Sequence, residues 1–223
     1  MTNLKPSNFQ SLHKKTIKIY GPPGTGKTYT LVERVLKRYL RLGVHPNDIA
    51  FISFTNKAVD TARDRALNTF QQYTTDDFSR FKTLHKYCRR YFDEEVFDPK
   101  NCMLDFALQS KIIKTTDCRL EDDNFTYKDW SLGVYDKARN ILKDPIYIYK
   151  KESYKKDNLD VYIRKINTYE HYKKKSFIDF TDMIERAIQE VEFPGLKLLI
   201  LDEAQYFTPL QWSVIYKMSK NVD

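Results

Sequence analysis

Glycine and cysteine are scarce in this 223-residue chain, at six and three residues. The cysteines, Cys88, Cys102 and Cys118, lie far apart, with no Cys-x-x-Cys pair and no paired histidines beside them. A structural zinc needs four convergent ligands, which this pattern does not supply, and scattered single cysteines read as free thiols of a reducing compartment. Met1 to Lys15 holds no apolar run of signal-peptide length, and nowhere is there an uninterrupted apolar stretch long enough to span a bilayer. The chain is therefore expected to stay in the cytoplasm, or in a host cytoplasm if it is viral. Low-complexity stretches and internal repeats are also missing.

Hydrophobic residues make up 41% and charged residues 30%. That is too apolar for a disordered chain, and the length allows one sizeable core or a core with a smaller appended unit. The net charge is +8 and the isoelectric point about 9.2, which fits a polyanionic partner but identifies none. Its distribution says more. Basic residues outnumber acids in residues 1–85, whereas residues 176–223 gather Asp179, Asp182, Glu185, Glu190, Glu192, Asp202 and Glu203. Phosphates approaching from one side, with carboxylates kept for metal and water, would produce that asymmetry.

Thr16–Tyr20 reads as a short strand running into the glycine-rich Gly21–Gly26. A helix follows from about Lys27 to Leu42, its apolar Leu31, Val32, Val35, Leu36 and Tyr39 sharing one face, and Gly43 stops it. Ile49–Phe54 is a second strand, apolar on both faces as in a covered parallel sheet, and another helix begins near Asn56. This alternation predicts an α/β layer fold. Lys86–Lys175 departs from it: glycine nearly vanishes, Lys and Tyr become frequent, and Met103–Ile113, Trp130–Leu142 and Val161–Tyr172 carry helical periodicity. The stretch is expected to be a mostly helical insertion, with Leu120–Lys128 an exposed loop. The α/β pattern then resumes. A helix bears Met183, Ile184, Ala187, Ile188 and Val191, a buried strand spans Leu196–Leu201, and a last helix opens at Thr208-Pro209.

Gly21-Pro22-Pro23-Gly24-Thr25-Gly26-Lys27-Thr28 matches the P-loop pattern G-x-x-x-x-G-K-[ST] in full. Such a loop curls so that successive N–H groups point at phosphate oxygens, and the helix behind it adds its positive dipole end. Lys27 would neutralise the β- and γ-phosphates of ATP, and the Thr28 hydroxyl would ligate Mg2+. The site also needs a carboxylate at the end of a neighbouring strand. Asp202, directly after Leu198–Leu201, would hold the magnesium through its water shell, and Glu203 would orient and deprotonate the attacking water. Two adjacent acids favour hydrolysis over a pure nucleotide switch.

Asp202-Glu203-Ala204-Gln205 after an apolar strand resembles motif II of the UvrD/Rep-like superfamily 1 DNA helicases. Ser53-Phe54-Thr55-Asn56-Lys57-Ala58 resembles that family's motif Ia. Phe81-Lys82-Thr83-Leu84-His85 is similar to its Thr-Phe-His segment, and Asp179-Phe180-Thr181-Asp182 to its Asp-Phe-x-Asp element. The four occur in family order. The resemblance implies a RecA-like P-loop NTPase fold, a parallel sheet flanked by helices. Residues 1–85 and 176–223 would form ATP-binding domain 1A, incomplete at its C-terminus, and residues 86–175 a helical 1B-like insertion. It further implies an ATP-dependent motor that moves 3′ to 5′ on single-stranded DNA and separates duplex.

By the same resemblance Phe54 would stack on a base, Asn56 would lie on the DNA track, and Thr83 and His85 would contact DNA. Gln205 would couple nucleotide to DNA. Phe54 would serve equally as core, and Asn56 as a helix N-cap, whatever the function. Asp179 and Asp182 read as a cap and its first-turn acid. Where the family commonly has another acid after Gln205, this chain has Tyr206. Motifs III to VI are not found, so the second RecA-like domain is expected to belong to a longer parent, and this stretch alone is expected to hydrolyse ATP poorly. Two other readings stay open: a P-loop kinase acting on a small acceptor, and a non-catalytic DNA- or protein-binding fragment.

Overall fold

Ile49–Ser53 (β1) is apolar until its last residue, and all five side chains are buried. A strand of that kind needs cover on both faces and neighbours on both edges. Phe81–Thr83 (β2) pairs with one edge, Cys118–Glu121 (β3) and Asn124–Tyr127 (β4) form a separate antiparallel hairpin, and Leu198–Leu201 (β5) pairs with the other edge of β1. Both β1 pairings are parallel, with Ser53 opposite Thr83 and Ile52 opposite Leu201. All three strands therefore end at the same edge of the sheet, where ligands of open α/β sheets bind. The computed structural model describes residues 16–22, 24–92, 106, 111, 118–121, 124–127, 129–152, 158–176 and 178–223.

Helical segments Lys27–Thr30, Leu31–Leu36 and Lys37–Arg41 run end to end as α1. The middle one is π-helical: the Lys37 N–H reaches back five residues to the Val32 carbonyl. Beyond it Gly43, at φ +84°, takes the left-handed turn, and Val44 N–H closes on the Tyr39 carbonyl at 3.1 Å. Asn56–Leu67 (α2) is capped by Thr55, whose side-chain oxygen accepts from Ala58 N–H. The cap is Thr55 because Asn56 already has helical backbone, and its amide oxygen instead accepts from Lys86 on Leu84–Arg89 (α3). Val32, Leu36, Leu40, Val59, Ala62 and Ala66 cover Ile49, Phe51 and Ile200. Each fully buried Val, Leu or Ile among them contributes roughly 1.5–3 kcal/mol relative to exposure.

The chain divides into two compact units. One comprises the described parts of Tyr91–Gln189 and Thr208–Leu210; the other holds the sheet, within Pro6–Arg90, Glu190–Phe207 and Gln211–Asp223. In the first, Trp130–Asn140 (α4), Pro145–Glu152 (α5) and Leu159–Ser176 (α6) carry a tyrosine-rich core, and Phe180–Glu190 (α7) belongs to the same unit up to Gln189. Tyr149 stacks on Tyr162 with centroids 4.2 Å apart, and the buried hydroxyls find partners: Tyr162 donates to the Pro145 carbonyl and Tyr135 to Glu170. Pro209–Ser219 (α8) closes the chain.

Two expectations are corrected. Thr16–Tyr20 belongs to no strand, and Ile17 and Tyr20 are exposed. A strand needs a hydrogen-bonded neighbour as well as a suitable sequence, and the described sheet pairs β1 with β2 and β5 without this segment. Leu120–Lys128 is not a plain loop, since it holds the last two residues of β3 and all of β4, which pair with each other. The helix expected over Met103–Ile113 lies outside the described residues apart from Phe106 and Lys111.

Asp179 and Asp182 cap α7 reciprocally: Asp182 N–H donates to Asp179 at 2.7 Å, and Asp179 N–H to Asp182 at 2.9 Å. They also anchor a buried network. Arg139 donates to Asp179 at 3.0 Å, to Asp182 at 2.5 Å and to Glu185 at 2.9 Å, while Lys173 reaches Asp179 at 2.9 Å and Tyr169 donates to Asp179 at 3.0 Å. Burial alone would raise the Asp179 pKa, but Arg139 and Lys173 outweigh it and hold the carboxyl below its ordinary value. Removing one partner leaves uncompensated charge in the interior. Arg139→Ala is expected to lower the unfolding free energy by about 3–5 kcal/mol in urea titrations, whereas Glu185→Gln, at the rim, should cost under about 1 kcal/mol.

Candidate functional site

The loop Gly21–Thr28 is shaped by its glycines. Gly24 and Gly26 sit at φ +81° and +78°, where a side chain would be strained, and a Cβ on Gly21 would come within 2.5 Å of Thr25 Oγ1. Thr25 fastens the loop, its hydroxyl donating to the Pro22 carbonyl at 2.8 Å. Lys27 Nζ donates to the Gly21 and Pro22 carbonyls at 2.8 and 2.9 Å, so the ammonium lies across the loop that precedes it. Pro23 lies outside the described residues.

Asp202 leaves β5 at a fixed point because its N–H donates to the Ile52 carbonyl at 2.9 Å, prolonging the ladder. That placement brings its carboxylate to Thr28, whose hydroxyl lies 3.0 and 3.1 Å from the two oxygens. Asp202 is buried. Burial pushes its carboxyl pKa up, the Thr28 hydrogen bond pulls against the rise, and the adjacent Glu203 charge adds to it. A hydroxyl and a carboxylate are the hard oxygen donors magnesium prefers. Among the described residues no group of three or more His, Cys, Asp or Glu could hold a metal, but magnesium needs only one or two protein carboxylates beside phosphate oxygens and water. The residues therefore fit a magnesium nucleotide.

Glu203 takes left-handed backbone at φ +53°, an uncommon choice outside glycine. It turns the chain into the short 3₁₀ turn Ala204–Tyr206, and the Gln205 amide donates to the Glu203 carboxylate. Phe54 follows β1 directly and is 40% exposed, so it is not core; its ring meets Tyr206, itself 59% exposed, with centroids 5.7 Å apart. Sequence reasoning marked Tyr206 only as a departure from the family pattern, and its pairing with Phe54 has no signal in the chain. Lys86 was likewise missed; it bonds the Asn56 amide at 3.0 Å.

Thr83 ends β2 and is buried. His85, two residues on, is half-buried, and desolvation lowers its pKa to about 4. Near neutral pH it can exchange a hydrogen bond but brings no charge to a phosphate. The unfolded imidazole takes its proton near 6.5 and the folded one only near 4. Between those values the unfolded state binds the extra proton, so stability falls as pH drops from 6.5 towards 4 and is unaffected above that window. Urea titrations across pH 4–7 should show His85→Gln losing a slope of at most about 1.4 kcal/mol per pH unit that the unaltered chain displays.

The family model for the UvrD/REP helicase N-terminal domain matches residues 3–222. The chain is similar to the mitochondrial ATP-dependent DNA helicase HMI1 of Saccharomyces cerevisiae, 36% identical over 81 residues, covering 34% of this chain and 12% of that protein. A probable DNA helicase of Mycoplasma pneumoniae is 28% identical over 142 residues, covering 64% and 23%. The ATP-dependent DNA helicase SRS2 of Saccharomyces cerevisiae is 38% identical over 53 residues, covering 24% and 4%. The chain thus spans less than a quarter of the length of these relatives. With the motifs in order, a parallel α/β sheet and a match over nearly its whole length, this chain belongs to the UvrD/REP helicase N-terminal domain family.

Proposed function

We propose that this chain is the ATP-binding portion of a DNA helicase that hydrolyses ATP to move along single-stranded DNA, 3′ to 5′, and to open duplex. The contact between Thr28 and Asp202 carries the reading, because it puts the end of the phosphate loop and the end of β5 at one point. The backbone N–H groups of Gly21 to Thr28 would hold the phosphates, with Lys27 turning from its loop carbonyls to their charge. Thr28 and Asp202 would hold magnesium, which supplies Lewis-acid neutralisation of the phosphate oxygens. Glu203 would take the proton of the attacking water, and Gln205, bonded to it, would pass the state of that carboxylate towards the DNA side.

Phe54, Asn56, Thr83 and His85 would form the DNA track; all issue from the strand ends that also carry Asp202. The names of the relatives, each a DNA helicase, support that substrate. The assignment of residues 1–85 with 176–223 to the ATP-binding domain and of 86–175 to an inserted subdomain is part of the same proposal; two separate cores support a two-part chain, although α7 up to Gln189 and Thr208–Leu210 group with the inserted segment. Slow hydrolysis by this stretch alone belongs to it too, as does a location in the cytoplasm, or in a host cytoplasm if the protein is viral.

ATP turnover of the full protein, measured with and without single-stranded DNA, tests the proposal, and strong stimulation is expected. Lys27→Ala should cut turnover by about 10²–10³-fold. Phe54→Ala should weaken single-strand binding about tenfold and reduce only the DNA-dependent part of the rate. Phosphate transfer to a small acceptor, with no response to DNA, would overturn the motor in favour of a kinase.

A further inference from the structure

We propose that Phe54 and Tyr206 form one two-ring platform on which an unpaired base of single-stranded DNA stacks, making Tyr206 a second base-contacting residue. The inference rests on the DNA reading above and extends it to a residue the family pattern does not supply. Phe54 follows β1 and Tyr206 closes the turn after β5, and these strands are hydrogen-bonded neighbours. The rings sit 5.7 Å apart at 42°, yet more than a third of each stays in water. Both rings are thus open to a ligand from solvent.

Its position is fixed from both sides. The Tyr206 N–H donates to the Glu203 carbonyl at 3.0 Å, and the next residue, Phe207, is buried edge-on against Trp212. The turn therefore drives Phe207 inward and Tyr206 outward. Two lysines belong to the same end of the sheet: Lys57 is exposed in the first turn of α2, three residues after Phe54, and Lys86 is tethered to Asn56, two residues after Phe54. Aromatic faces for bases with ammonium groups for phosphates are the two components of sequence-tolerant single-strand binding. A purely apolar protein partner would leave the lysines unused.

A single-stranded oligonucleotide carrying 2-aminopurine, titrated into the full protein at several salt concentrations, reads stacking and affinity together. Tyr206→Ala should weaken binding about tenfold and abolish the fluorescence change that stacking produces, with the salt dependence of affinity unchanged, because no phosphate contact is removed. Tyr206→Phe should retain both signals. Because Tyr206 is largely exposed, the unfolding midpoint of either variant should match that of the unaltered protein. Unaltered binding and fluorescence in Tyr206→Ala would overturn the platform while leaving the DNA reading intact. A loss expressed only as a shallower salt dependence would also overturn it, as would a change confined to self-association in sedimentation. If the unaltered protein fails to bind the oligonucleotide, both readings fall.

Discussion

The hydrogen bond from Thr28 to Asp202 joins residues 174 positions apart, and the geometry of the site follows from what makes it possible. The Asp202 N–H continues the β5 ladder onto Ile52, so the carboxylate leaves the sheet at a point set by backbone pairing and not by its own side-chain freedom. The Thr28 hydroxyl is equally constrained, one residue after Lys27 in the first turn of α1, a helix whose Val32 and Leu36 are clamped on the sheet. Sliding either element by one residue would turn buried side chains outward as well as separate the pair. Packing of the core and placement of the two polar groups are thus a single constraint.

The same parallel pairing decides what else gathers there. Because β1, β2 and β5 run in one direction, Phe54, Thr83 and Asp202 all leave from one edge. Glu203 accepts a left-handed backbone, and the turn that results presents Gln205 and Tyr206 side by side, the first tied to the Glu203 carboxylate and the second resting on Phe54. The Glu203 carboxylate and the Phe54–Tyr206 ring pair are joined through Ala204 and Gln205 alone. Strain held next to such a carboxylate is a recurring mark of functional sites.

The tyrosine-rich unit solves a different problem. Its rings supply apolar area, but each carries a hydroxyl that must be satisfied when buried. Tyr135, Tyr162 and Tyr169 meet Glu170, the Pro145 carbonyl and Asp179, and so tie the aromatic core to the network around Arg139. Asp179 and Asp182 were legible as a cap from their spacing at the start of α7. Their pairing with Arg139 was not, because Arg139 lies on a separate helix and nothing in its surroundings in the chain distinguishes it from a solvated arginine. The pairing of β3 with β4 is hidden for a related reason: the acidic cluster there has the composition of a loop, and strand pairing depends on a partner that local composition does not show.

The order of chemical groups was written in the chain itself. A phosphate loop with glycines where left-handed backbone is needed, the paired acids behind an apolar strand, and the α/β alternation are all local patterns, dictated by backbone sterics and by the periodicity of burial. Tertiary structure alone decided which of those groups touch. It left Thr16–Tyr20 out of the sheet, moved the cap from Asn56 to Thr55, lowered the His85 pKa by burial and set Tyr206 against Phe54. Each of these depends on which edge, cavity or ring a distant segment has already occupied, and that is a property of the packed chain.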